Sequence, residues 1–93
     1  MDKKRLDTAL TELVEKLASA EHDRWAHWQR YVHSQCTPIG DDGALVIPGN
    51  LVRRWEEQME TPYFSLTEVE KESDREQVRR YLPLIIEVLS DNS

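Results

Sequence analysis

Before Pro38 the chain contains neither proline nor glycine, the two residues that most readily interrupt a helix. Within that stretch Leu6, Leu10, Leu13 and Leu17 recur at spacings of four, three and four. This spacing lays an apolar stripe along one face of an α-helix. The stripe continues through Ala20 or Glu21 to Trp25, Trp28 and Val32. It predicts a helix from about Lys4 to Gln35, either continuous or bent near Ser19. The opening leucines fit equally a pairing seam between chains or burial in the protein's own core.

Beyond Gln35 the chain is punctuated by breakers. Thr37 to Gly43, with Pro38, Gly40, Asp41, Asp42 and Gly43, has the chemistry of a turn. Leu45 to Ile47 reads as a very short strand with no visible hairpin partner. Gly49 or Asn50 is placed to cap a helix carrying Leu51, Val52, Trp55 and Met59 on one face. That helix must stop before Pro62, because a residue preceding proline is pushed out of the α region. Tyr63, Phe64 and Leu66 form an apolar linker, and both Ser65 with Glu68 and Thr67 with Glu70 match a capping box. A last helix is expected from about Thr67 to Leu89, with Val69, Val78, Tyr81, Leu82, Ile85 and Leu89 inward. Pro83 lies inside it and predicts a kink near residues 79–82. Leu84, Ile85 and Ile86 are apolar all round, which implies deep burial or a subunit contact. The expected fold is mainly all-α: a compact bundle of three principal helices with a loop and at most a minimal β-ribbon.

Size and charge narrow the function. Ninety-three residues make one small domain, spanning 1–93, that buries roughly 60–65% of its unfolded surface. A large enzyme with an internal active-site cavity does not fit; a binding module does. The longest apolar runs are about four residues, against the roughly 20 that span a bilayer, so no membrane is expected. Met1 to Arg5 lead into an amphipathic segment and not the apolar core of a signal peptide. The single cysteine, Cys36, suggests a reducing, cytoplasmic setting. The net charge of −6 argues against duplex nucleic acid, whose binding depends on a basic surface. Residues 1–35 hold six basic and six acidic groups; residues 36–93 hold six and twelve, and so carry the whole excess.

Catalysis and metal binding find little support. His22, His27 and His33 follow at spacings of five and six, about 140° and 240° apart on a helical wheel, where zinc ligands need a shared face. Cys36 follows His33 by three residues, but no glycine-rich turn beside it offers an oxyanion site. Neither an enzyme nor a cofactor is expected. Two stretches are unusual. Trp25 and Trp28 share a helical face with His22 and Arg24 nearby, either as core bulk or as a stacking wall for a flat ligand. Lys71, Arg75 and Arg79 recur every four residues as a basic stripe, either paired along their own helix or free to clamp a phosphate near Tyr63.

In this order the two stretches resemble the ryanodine-receptor repeat domain, in the small stand-alone form met in bacterial and phage genomes. The family's His-x-x-Trp element is matched by His22-Asp23-Arg24-Trp25, after Glu21. Its Pro-Tyr-x-x-Leu turn is matched by Pro62-Tyr63-Phe64-Ser65-Leu66, and its Glu-Lys-x-x-Asp-Arg helix by Glu70-Lys71-Glu72-Ser73-Asp74-Arg75. The resemblance covers about residues 17–89 and leaves 1–16 as an N-terminal helical extension. The family's Gly-Trp-x-Tyr-Gly segment is absent, and Glu60-Thr61 stands where a His-Pro pair is usual. The resemblance implies a module that binds a nucleotide-derived signalling molecule, sequestering it or countering host defence. His22, Arg24, Trp25, Trp28, Tyr63, Lys71, Arg75 and Arg79 would form the site, Trp25 or Tyr63 stacking on a base and Arg75 and Arg24 taking phosphate. A homo-oligomer is expected. The alternative is an acidic interaction module that inhibits a host defence protein by direct docking through Glu56, Glu57 and Glu60.

Overall fold

A computed structural model describes residues 2–91. Helix α1 spans Lys3–Gln35 without interruption, so the option of a bend at Ser19 is not taken up as a break. Asp2 caps it: the Arg5 backbone N–H donates to Asp2 Oδ1 at 2.8 Å. At 1.5 Å per residue its 33 residues make a rod of about 50 Å, which sets the longest dimension of the molecule. The helix ends at Cys36, where the backbone turns extended ahead of Pro38.

Strands β1, Thr37–Ile39, and β2, Ala44–Val46, then pair antiparallel, with Thr37 opposite Val46, Pro38 opposite Leu45 and Ile39 opposite Ala44. The hairpin partner that the sequence does not reveal is thus Thr37–Ile39, disguised by its proline. A two-stranded ribbon has only edges, and an edge strand tolerates a residue with no N–H. Gly40 and Gly43 close the ribbon at φ +68° and +90°, a region that disfavours side chains. The Ala44 N–H donates to Asp42 Oδ1 at 3.0 Å.

Helix α2, Gly49–Glu60, takes Pro48 as its N-cap, and neither Gly49 nor Asn50 fills that role. Pro48 supplies its carbonyl to the N–H groups of Leu51 and Val52 at 3.0 and 3.1 Å, while its ring sets φ at −56°. The helix stops at Thr61, before Pro62, as the steric rule requires. After a 3₁₀ turn at Tyr63–Ser65, helix α3 runs Glu68–Asp91. Of the two possible capping boxes, Thr67 with Glu70 forms. The Glu70 N–H donates to Thr67 Oγ1 at 3.2 Å, and the Thr67 N–H returns to Glu70 Oε1 at 3.0 Å. α3 continues through Pro83 as one helix. Four residues expected inward are exposed: Val69, about 180° on the helical wheel from Val78, and Val78, Leu82 and Leu89 themselves, while Tyr81 and Ile85 are half-buried.

The mainly α character and the three helices are those the sequence predicts. α1 and α3 run antiparallel, tied by Lys16 Nζ to Glu87 Oε1 at 3.2 Å and by the Tyr81 hydroxyl, which donates to Glu21 Oε2 at 2.9 Å. Ala9 and Val88, one from each helix, are the fully enclosed residues among those described. The molecule measures 57 × 36 × 17 Å, with a radius of gyration of 18.5 Å against about 12 Å for a compact domain of this length.

Candidate ligand cleft

The second half of α1, the segment after β2, α2, the 3₁₀ turn and the start of α3 converge on a cleft of about 550 Å³. That volume is within the usual range for a small-molecule site. Its walls are Trp28 and Val32 from α1, Ile47 from the segment after β2, Trp55 and Met59 from α2, and Tyr63 from the turn. The rings of Trp28 and Trp55 meet edge to face, centroids 5.9 Å apart and planes at 61°. Trp28 also lies 5.5 Å from Tyr31, and Tyr63 stands edge-on to Phe64 at 5.2 Å. Each aromatic is thereby propped by another, which holds the walls at low entropic cost. The polar groups on the lining are Gln29, Gln58, Thr61 and Asp74.

A second groove of about 460 Å³ adjoins the first. It is lined by Tyr63, Asp74, Arg75, Val78, Arg79 and Leu82, so Tyr63 and Asp74 belong to both. Its arginines are already engaged. Arg75 Nη1 lies 3.3 Å from both Glu68 Oε2 and Glu72 Oε2, and Arg79 pairs with Glu72. Hydrogen bonds from Arg79, and then from Arg75, hold the Glu72 carboxyl below the usual carboxylate range. Arg75 is raised in turn by the bonds it donates to Glu72 and then to Glu68.

Of the residues singled out in the sequence, Trp28 and Tyr63 share the aromatic cleft, and Tyr63, Arg75 and Arg79 share the groove beside it. The others lie apart. Trp25 is 55% exposed outside the cleft and stacks on His22, centroids 6.2 Å apart. Arg24 pairs with Glu21, whose carboxylate also accepts from Tyr81. The Arg24 bond, followed by the Tyr81 bond, lowers the Glu21 pKa from 4.5 to about 2, and Arg24 is raised in turn. Lys71 lies 3.6 Å from Glu68 with its side chain 18% exposed. The stripe of Lys71, Arg75 and Arg79 is therefore paired along its own helix.

Trp55, Met59, Ile47 and Asp74 are cleft residues that the sequence does not mark as a site. The apolar face of α2 signals Trp55 and Met59, but as helix packing. Among the described residues, no group of three or more His, Cys, Asp or Glu is placed to hold a metal ion. No described helix is long and apolar enough to cross a membrane. No protein-family model matches this chain, and no curated protein or solved structure matches it.

Proposed function

We propose that the chain is a small binding module for a flat, anionic, nucleotide-derived ligand, the role implied by its resemblance to the ryanodine-receptor repeat domain. The observation that carries this reading is the sharing of Tyr63 and Asp74 between an aromatic cleft and an arginine-lined groove. A planar base enters beside Trp28 and Tyr63, and Asp74 accepts a hydrogen bond from an exocyclic amine. The phosphate lies over Arg75 and Arg79. To take it, the arginines release Glu68 and Glu72. These ion pairs are exposed and screened by solvent, so releasing them costs little, and a phosphate offers the arginine forks charge-assisted bonds in their place. Calorimetry with cyclic dinucleotides and ADP-ribose derivatives is the direct test. Heat from at least one member is expected, reduced tenfold or more in affinity by Arg75→Ala; silence across the panel at high protein concentration sinks the reading.

One observation favours a second reading, docking on a basic host protein. Glu56, Glu57 and Glu60 are all exposed on α2, whose Trp55, Gln58 and Met59 line the cleft. Charge reversal at the three glutamates would abolish capture of such a partner, and retained capture rejects it.

A further inference from the structure

The far end of the molecule has a different surface. α1 carries Leu6, Leu10, Leu13 and Leu17 at spacings of four, three and four, and α3 carries Val78, Leu82, Ile85 and Leu89 at the same spacings. Two antiparallel helices with this repeat are half of a four-helix bundle, whose core positions recur in the same way. Between the helices runs an open groove of about 600 Å³. Its walls are Val14, Leu17, Val78, Tyr81, Leu82 and Ile85, with Glu21 at one end already bonded to Arg24 and Tyr81. Leu6, Leu10 and Val14 on one helix, and Leu82, Ile86 and Leu89 on the other, stand exposed.

We propose that this α1–α3 face is closed by the same face of a second copy of the chain, giving a twofold-symmetric dimer with a four-helix core. The area argues for it. A folded monomer of 10.9 kDa is expected to expose about 5,600 Å². This chain exposes 7453 Å², an excess of about 1,900 Å² by subtraction from that scaling. Obligate homodimers bury roughly 1,000–2,500 Å² per chain, so the excess is of the size that one such interface covers. The chemistry argues for self against other partners. A twofold contact must be complementary to itself, and an aliphatic seam with its one charge already paired meets that condition. A charged partner finds no grip there. Lys3, Lys4 and Arg5 open α1 while Glu87 and Asp91 close α3, so a second copy meets both signs and no one-signed field.

The seam lies outside the aromatic cleft but shares Val78 and Leu82 with the arginine groove, so the variants that test it are placed at seam residues that border neither the cleft nor that groove. Sedimentation or light scattering of the full chain should give twice 10.9 kDa at micromolar concentration. Leu10 and Leu89 are 47% and 39% exposed in the single chain, so glutamate at either would be tolerated by a monomer. In the dimer it puts a charge into the seam. Leu10→Glu and Leu89→Glu should each shift the mass to that of one chain, while Met59→Glu, in the cleft, leaves the dimer intact. If the seam variants do not fold, the wild-type thermal midpoint decides: it must rise with protein concentration, as mass action requires when only assembled chains are folded. A monomer with a concentration-independent midpoint overturns the proposal. So does a dimer that survives both seam substitutions or is lost with Met59→Glu.

Discussion

The two halves of α1 share one rod and meet different surroundings. At Trp28, Gln29 and Val32 the helix meets α2, the 3₁₀ turn and the start of α3, and the Trp28 ring lines a concave cleft with polar groups around it. From Leu6 to Leu17 it has α3 as its neighbour, and its leucines form an open, aliphatic seam. A concave site with few polar groups selects a small molecule by shape and hydrogen bonding. A flatter, unbroken aliphatic stripe gains from being covered over its whole length, which a helical partner does best. The boundary between the two lies at Glu21, where Arg24 and Tyr81 converge on one carboxylate.

The comparison breaks most readily at Trp55. Trp55→Ala removes the edge contact to Trp28 and should cost about 3 kcal/mol in urea unfolding, below the top of the range for a large aromatic because the site is only half-buried. It should abolish binding in the cleft and leave the dimer mass unchanged, which separates the two ends. Val88→Ala attacks the other end. Val88 is fully enclosed, and losing two methyl groups should cost about 2 kcal/mol while Trp28 and Trp55 fluorescence stays native in the folded state. Thr67→Ala removes the capping box that starts α3 and should cost about 1 kcal/mol. Hydrogen exchange should then quicken in the first turn of α3, beside the cleft, and not at the seam.

The smallest effect is the most diagnostic of the boundary. Glu21 titrates at about 2 folded and 4.5 as the ordinary value, so its ionised form is favoured by folding. That contribution is fully present above pH 4.5 and is lost as pH falls toward 2. Over that window the wild type should lose more stability than Glu21→Gln, measured by urea unfolding at successive pH values. Parallel curves for the two proteins would show that the Glu21–Arg24–Tyr81 cluster does not join the halves.

Much of the fold was legible because its signals are local. The absence of breakers before Pro38, the stop at Pro62 and the Thr67–Glu70 box are each written within a few residues. β1 was not legible, since proline at position 38 argues against a strand and only the pairing with Ala44–Val46 makes it one. The site divided in the same way. Trp25 and Trp28 are three residues apart, about 60° on the wheel, and no local rule says which of them meets α2. Arg24 belonged with Tyr63 and Arg75 in motif order, yet its nearest carboxylate was three residues away on its own helix.

By itself the amino-acid sequence determined the three helices, the stop of α2 before Pro62 and the two seams of four, three and four, because helix period and the effect of proline are properties of neighbouring residues. The tertiary structure alone decided that Trp28 and not Trp25 would face Trp55, that Tyr63 and Asp74 would stand between an aromatic cleft and an arginine groove, and that both seams would open on one side. Those outcomes depend on where distant segments dock, and the docking is governed by how much apolar surface each arrangement removes from water, a quantity summed over the whole chain.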